Sequence, residues 1–574
     1  CIIIKNKGGT AVTLIKKLFS IFAAICIVAA SCAVSSYAAD TTEMTYLYID
    51  KGSIVIGDGT VSGYGAYGEK ITSYDSDGYC ITSTNKNLTV NNTVEINGGK
   101  NTVVLKNVSA AANEQFMCVF YVCGGSELQL ILDGDNKLVG GASRAGLEIS
   151  EDSSVTISGD GSLYAESKGE AGIGGGNGAS NGTLVINSGS ITAKNSYNSA
   201  GIGGGSSGNG GNIIINGGNV AAYGGDTAAG IGGGCAGSGG NIVINGGTVT
   251  AIGGENGAGI GGGWYGEMGT VKMNGGSVKA IGGTGAPSVG DGAGLSGSFA
   301  ENNSGERVYM AVIDASSFEN ISEIYTNGAA NKINGSHPED GKFYLYLPKN
   351  EYIIALKPQK NNVMFYKLEY GSAFDCQEIE PMKSTDSAYI RTDDVIGGIT
   401  CGLTSLNKYF TLSDGFSLGY GSSVIGTGTE IELIYSEKCV YTFKALLYGD
   451  VNGDGFYDGE DSFIVLLMLW DKLDKSNTDY LYFEAADANR NGGVDENDMQ
   501  LLQQAGLLLE KVEQSSSSQV SQDSYEEYLS LIDQSNRAEE NINDGILLVI
   551  KTLLLNILKR ITEFLDLGQF YVGL

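Results

Sequence analysis

The sequence predicts a mostly β chain: a right-handed parallel β-helix, then small β-sandwich-like modules, then an α-helical module with two acidic loops and a C-terminal helix. Three observations predict it. The string AGIGGG begins at Ala171, Ala200, Ala229 and Ala258, a period of 29 residues, and a degenerate copy, AGLSGS, begins at Ala293. Apolar residues alternate within each period. Glycine supplies 88 of 574 residues and proline only 5, without the Gly-X-Y period of collagen or the low hydrophobicity of a disordered chain.

A fixed period of this length means stacked units that bury their apolar slots only against neighbours. Leu184, Ile213, Ile242 and Val271 share one slot; Ile186, Ile215, Ile244 and Met273 share the slot two residues on. Between them stand Val185, Ile214, Val243 and Lys272. A slot that takes lysine faces water, so its neighbours face inward with strand periodicity. A second strand follows the same logic. Ile191, Val220, Val249 and Val278, with Ala193, Ala222, Ala251 and Ala280, point in; Thr192, Ala221, Thr250 and Lys279 point out. Asn216, Asn245 and Asn274 open Asn-Gly-Gly corners, and Asn187 opens Asn-Ser-Gly; such residues tolerate positive φ and suit tight corners. Each coil should rise by ~4.8 Å, the spacing of paired strands. Weaker copies of the pattern at Thr93 to Gly99, Leu128 to Leu132 and Val155 to Gly159 extend the solenoid over 45–298.

Beyond it glycine falls and aromatic residues rise. A small β module is expected over 305–384, with strands at Val308 to Ile313, Lys342 to Pro348 and Tyr352 to Leu356. A second is expected over 385–446, where Thr429 to Tyr435 alternates cleanly. A helical module spans 447–511, a Ser/Glu-rich linker 512–545, and an amphipathic helix 546–574. The stretch Ile546 to Leu565 is interrupted by Lys551, Lys559, Arg560 and Glu563, whereas a membrane span needs ~20 apolar residues. Packing on the protein, partner binding and membrane-surface contact all stay open for it.

At the other end, Lys16-Lys17, the apolar run Leu18 to Val34 and Ser36-Tyr37-Ala38 read as an export signal over 1–38. A transmembrane anchor, or a lipoprotein-like site at Ala29 to Cys32, are the alternatives. The expected location is secreted and extracellular, with cell-surface attachment open. Charge agrees with no nucleic-acid partner: 35 basic against 65 acidic residues give −30, and phosphate binding needs the reverse. That balance favours divalent cations. A single histidine, His337, leaves little room for His triads or His-ligated zinc. Seven cysteines follow residue 38, with no CxxC spacing and no evident disulfide framework.

Two segments carry calcium-loop spacing. The first offers Asp450, Asn452, Asp454, Phe456 through its backbone carbonyl, Asp458 and Asp461. The second offers Asp487, Asn489, Asn491, Gly493 through its carbonyl, Asp495 and Asp498. Ca²⁺ takes six to eight hard oxygens, and a loop supplies them from positions 1, 3, 5, 7, 9 and 12, with glycine at position 6 for the turn. Gly455 and Gly492 hold that position. The last ligand is Asp where the EF-hand rule has Glu. Each loop leads into one apolar helix, Phe463 to Trp470 and Met499 to Leu509, with no helix expected on the other side.

This duplicated loop–helix pattern, from Leu447 to Lys511, resembles a dockerin, the calcium-dependent module that attaches secreted bacterial proteins to cohesin domains of cellulosome-like scaffolds. The resemblance implies two Ca²⁺ ions on the residues just named, and a cohesin partner. One departure matters: the Ser-Thr pair that many dockerins carry at loop positions 10 and 11 is replaced by Gly459-Glu460 and Glu496-Asn497, leaving the cohesin type open. The AGIGGG stretch in turn resembles glycine-rich β-helix regions of secreted and surface proteins from gut and cellulolytic Firmicutes, often labelled carbohydrate-binding. The strand at Lys342 and the segment before Gly449 resemble modules placed between such helices and a dockerin.

The resulting expectation is a carbohydrate-binding β-helix, polysaccharide its ligand, carried on a dockerin. Trp264 and Tyr265 replace small residues of the other repeats, Ser206-Ser207 and Cys235-Ala236, and flat amphipathic rings can stack on sugars; ordinary loop packing is the rival account. A polysaccharide lyase or glycoside hydrolase on the same helix is the alternative, since Asp133, Asp135, Glu148, Glu151, Asp152 and Asp160 could line a site. No slot of the repeats stacks acids in successive coils, so no catalytic residue is named. A structural surface stalk or adhesin is the third reading.

Overall fold

The computed structural model describes residues 44–514 except 76, 317–320, 333–339, 359, 386, 470–478 and 508–510. The export signal, His337, most of the linker and the C-terminal helix expected above lie outside the described residues.

Three sheets wrap one core. The first has nine parallel strands, from Thr45–Tyr48 to Thr270–Met273, and the second has seven, from Ser109–Ala111 to Ser277–Ile281. The third has eleven; nine are coil strands, from Ile54–Gly57 to Val289–Gly290, and Thr60–Tyr64 and Lys70–Ile71 add antiparallel at its N-terminal edge. The inward slots stack as the parity argument requires. Leu184, Ile213 and Ile242 pair in register, and they and Ile186, Ile215 and Ile244 are fully buried. Val243 sits directly beside Lys272. The outward slot is half-buried rather than open, because side chains one strand spacing apart shade one another.

The third side is where the sequence reading was incomplete. AGIGGG is itself a short strand: Ile173, Ile202, Ile231 and Ile260 form a third buried ladder. The glycine after each holds φ between 132° and 134°. A Cβ on Gly203 would stand 2.0 Å from the carbonyl oxygen of Gly232, so coils can stack at this spacing only with glycine here. Ala200 N–H closes the bend on Gly204 O at 3.0 Å.

The Asn-Gly-Gly corners also differ in detail. Positive φ falls on the second glycine, 84° at Gly218 and 83° at Gly247, and on none of the corner asparagines. The asparagines instead form an amide ladder: Asn216 donates to Asn187, Asn245 to Asn216 and Asn274 to Asn245, at 2.7–2.8 Å. Upstream, Val94–Asn97 repeats the look of a first-sheet strand yet lies in the third sheet, between Ile54–Gly57 and Phe120–Cys123. Alternation reports a core-facing strand but not which side of the coil it occupies.

The last coil is covered. Met273 N–H donates to Glu301 O at 2.8 Å and Glu301 N–H to Val271 O at 3.0 Å, so the Glu301 segment blunts an edge that would otherwise pair with another chain. Lys279 then bridges to Asp340 at 2.6 Å, tying the solenoid to the next module.

That module has two layers: the pair Tyr309–Asp314 and Lys342–Leu347, and a five-stranded antiparallel sheet whose edges are Ala329–Lys332 and Phe374–Ile379. Lys342–Leu347 and Tyr352–Pro358 follow one another in sequence but enter different layers. The next module has a five-stranded sheet with edges Tyr389–Ile390 and Phe416–Tyr420 and Lys438–Ala445 at its centre, and the pair Met382–Ser384 with Phe410–Leu412. Ile353, Ala355 and Phe365 of the first module share its core.

Among the described residues three helices follow: α1 (Gly459–Leu469), α2 (Tyr480–Ala486) and α3 (Glu496–Gly506). The second acidic loop therefore has a helix on both sides, against expectation. The α2 sequence, Tyr-Leu-Tyr-Phe, reads as a strand, but Asp479 caps it by accepting from Leu481 N–H at 3.3 Å.

Candidate functional site

The two acidic loops fold alike. Gly455 and Gly492, at position 6, hold φ of 89° and 99°, and Gly453 and Arg490, at position 4, hold 77° and 58°. Asp450 accepts from Gly453 and Gly455 N–H at 2.8 and 3.1 Å; Asp487 accepts from Asn491 and Gly492 N–H at 3.0 and 2.9 Å. Asp461 folds back onto Val451 and Asp458 N–H at 2.7 and 2.8 Å. Asp498 does the same to Asn489 and Asp495 N–H at 2.9 and 2.8 Å. Asn452 and Asn489 accept from the residues two ahead, Asp454 and Asn491. Asp454 and Asn491 accept in turn from Phe456 and Gly493 N–H, while Asp458 and Asp495 cap the next turn at Glu460 and Asn497.

Asp450, Asp461, Asp487 and Asp498 are fully buried. Burial, reinforced by the Asp461 charge, pushes Asp450 up to about 7; burial raises Asp461 to about 6 and Asp498 to about 7. Burial raises Asp487 as well. Burial opposes ionisation at Asp495 too, but hydrogen bonds from Asn497 and Asn491 hold it low. Crowded, desolvated carboxylates are costly without an opposing charge. Among the described residues no three Asp, Glu, Cys or His side chains converge as a metal cluster. The loops pair carboxylates with Asn side chains and backbone, and that hard-oxygen donor set, on a turn with left-handed glycine at position 6, fits calcium.

On the solenoid, Trp264 and Tyr265 share a corner between the third and first sheets. Their rings stack at 4.9 Å with 24° between planes, and they are 36% and 60% exposed. Tyr265 holds φ at 59°, a conformation that Gly178, Ser207, Ala236 and Gly294 adopt in the other coils. A bulky residue in this region is strained. Trp264 and Tyr265 N–H groups donate to Thr227 and Ala293 carbonyls at 2.7 and 3.0 Å, fixing the platform.

The upstream carboxylates separate into two groups. Asp133, Asp135 and Asp160 line one open depression of about 530 Å³, where Asp133 pairs with Lys106 at 2.6 Å and Asp135 accepts from Ser162 Oγ at 2.8 Å. Glu148 is buried elsewhere, held by Arg144 at 2.9 Å. Glu151 accepts from Ser180 N–H and Asp152 from Ser150 Oγ.

A buried network escaped the sequence reading. Glu484 on α2 accepts from Arg391 Nη1 at 2.5 Å and from Tyr448 OH at 3.1 Å, joining the helices to the β module before them. Its partners lie 93 and 36 residues away, and no local pattern announces such a pairing.

Four segments, 155–177, 184–206, 213–235 and 242–264, match the family model described as beta helix repeat. No curated protein and no solved structure gives a match. The matched segments begin 29 residues apart and fall on successive coils of the parallel solenoid: the chain is a protein built on β-helix repeats.

Proposed function

We propose that this is a secreted, carbohydrate-binding β-helix protein whose helical module binds two calcium ions and docks, dockerin-like, on a cohesin domain of a scaffold. The glycan reading is carried by Tyr265: an exposed aromatic stacked on Trp264 at a position of backbone strain where other coils place Gly, Ser or Ala. Strain of this kind costs about 1–3 kcal/mol; Ser207 and Ala236 bear the same φ in their coils, so it is the exposed rings at Tyr265 and Trp264 that set this corner apart. Paired rings offer a flat amphipathic surface to a pyranose face. The matched loops support the attachment module. Calcium there would be held by Asp450, Asn452, Asp454, Asp458 and Asp461, and by Asp487, Asn489, Asn491, Asp495 and Asp498, with the carbonyls of Phe456 and Gly493. Bound calcium supplies the positive charge that lets the buried carboxylates stay ionised and orders the loop that starts each helix.

The depression lined by Asp133, Asp135 and Asp160 favours one second reading, a polysaccharide lyase or hydrolase. One experiment separates the two. The full chain is incubated with a panel of polysaccharides, with and without calcium, and both retention on the polymer and product release are recorded. Retention without new reducing ends or ultraviolet-absorbing products is the expected result. Product release favours the enzyme, and no retention on any polymer removes the glycan reading.

A further inference from the structure

The two acidic loops are built alike, but their first carboxylates are held by different sets of donors. The backbone N–H of Thr427, in the turn between Tyr420 and Glu430, donates to Asp450 Oδ2 at 2.7 Å. Asp450 thereby accepts three backbone N–H groups: Gly453 and Gly455 from its own loop, and Thr427 from another module. Asp487, its counterpart, is held by Asn491 and Gly492 of its own loop. A second bond crosses the same seam, Gly402 N–H to Gly455 O at 2.8 Å. The approach is close. A Cβ on Gly426 would stand 2.4 Å from Gly455 N and 2.5 Å from Asp450 Oδ2. Thr427 is itself pinned, its Oγ1 donating to Leu447 O at 3.0 Å and accepting from Leu447 N–H at 3.2 Å.

We infer that the first calcium site is shared between two modules, with Thr427 as a positioning residue that aims Asp450 from outside the loop, whereas Asp487, the first ligand of the second site, is aimed by N–H groups of its own loop. This rests on the calcium reading above. A ligand whose orientation is fixed before the ion arrives binds with less ordering cost, and partners behind a ligand typically change metal affinity 10–100-fold. Linkage makes the effect reciprocal. If the seam strengthens calcium binding at the first loop, calcium strengthens the seam by the same factor. The β module over 385–446 then senses the ion, and the first loop cannot be loaded without tightening the junction that sets the direction in which the helices leave the sheet.

The test uses the full chain. Calcium is titrated calorimetrically into the wild type and into Gly426→Ala, whose added Cβ meets backbone and must push the turn off the loop. One of two sites is expected to weaken about 10–100-fold while the other stays within about twofold. Thr427→Val keeps the backbone N–H but removes the Leu447 bonds that steady it, and should weaken the same site by a smaller factor with folding intact. Hydrogen exchange gives an independent readout: the Thr427 amide should slow on adding calcium, while amides of the first-sheet solenoid strands should not. Two sites in the wild type, with both unchanged or both equally weakened in Gly426→Ala, would overturn this inference and leave the calcium reading standing. An unchanged Thr427 amide in calcium-loaded protein would do the same. A wild type that takes up no calcium overturns both.

Discussion

The side-chain amide of Asn245 donates to Asn216 one coil below at 2.8 Å, while its own oxygen receives Asn274 at 2.7 Å from the coil above. The ladder continues past the last coil, where Asn274 accepts from the backbone N–H of Asn303 at 2.8 Å. Because these groups are exposed, water can replace the bonds, and Asn245→Ala should cost only about 1 kcal/mol. Gly247→Ala, two residues on, should cost about 1–3 kcal/mol, since φ is 83° and the new Cβ would lie 2.6 Å from Gly218 O. Urea midpoints compare the two; a larger loss for Asn245→Ala would make the ladder, not the corner, the stabilising feature.

Parity of the first sheet has a sharper test. Ile244 is fully buried, whereas Val243 lies beside Lys272 in an outward slot. Ile244→Asp should destabilise by about 3 kcal/mol or more, the cost of an unpaired buried carboxylate, and Val243→Lys should be nearly neutral. Equal thermal shifts would contradict the register.

How much of this was readable beforehand differs from side to side of the coil. Sheets one and two were legible because branched residues alternate there over four or five positions and a lysine marks the outward slot. The third sheet was not, because Ile-Gly is too short to show a period and glycine normally argues against a strand. The aromatic pair was visible as a break in the repeat, but its strain was not, since φ at Tyr265 is imposed by coils on both sides. That sharp turns fall at Gly455 and Gly492 followed from spacing alone. Contacts such as Arg391 with Glu484 join residues with no sequence relation, and only the fold reveals them.

Tyr265→Gly separates stability from recognition. Glycine relieves the backbone strain, worth about 1 kcal/mol, while the ring stack is lost. The variant should melt at or above the wild-type temperature and lose retention on the polysaccharide that binds the parent chain. Unchanged retention would assign the rings to loop packing alone.

The loops should differ in affinity. The first offers four carboxylates at ligand positions, Asp450, Asp454, Asp458 and Asp461; the second offers three, Asp487, Asp495 and Asp498, with Arg490 adding positive charge. Affinity follows ligand charge and rigidity, so the first should bind more tightly. Asp461→Ala is expected to remove the tighter of two calorimetric sites and Asp498→Ala the weaker. The opposite order would defeat the charge argument, as would a helical circular dichroism signal unchanged by chelator.

Acid should loosen the joint between solenoid and β modules. At Asp340 burial works against ionisation, yet hydrogen bonds from Lys279 and Tyr344 overcome it and lower the carboxyl to about 2. A folded value below the unfolded one means stabilisation that is present above pH ~4 and lost as pH falls toward 2. With the side chain 29% exposed, solvent screening leaves about 1 kcal/mol. Between pH 5 and 2.5 the wild type should lose more stability in urea than Asp340→Asn does; parallel losses would assign the joint to other contacts.

The close approach of Gly203 to Gly232, repeated at every AGIGGG, has a consequence for how such a molecule can change over generations. A coil that drops or gains one residue loses its place against both neighbours, whereas a duplicated 29-residue block meets the same backbone above and below. Length therefore grows in whole steps of one strand spacing, ~4.8 Å. Each coil added after the Trp264 corner would carry that corner one step farther from the β modules that follow without altering either. Length, in this architecture, is inherited separately from what the coil corners and the flanking modules present.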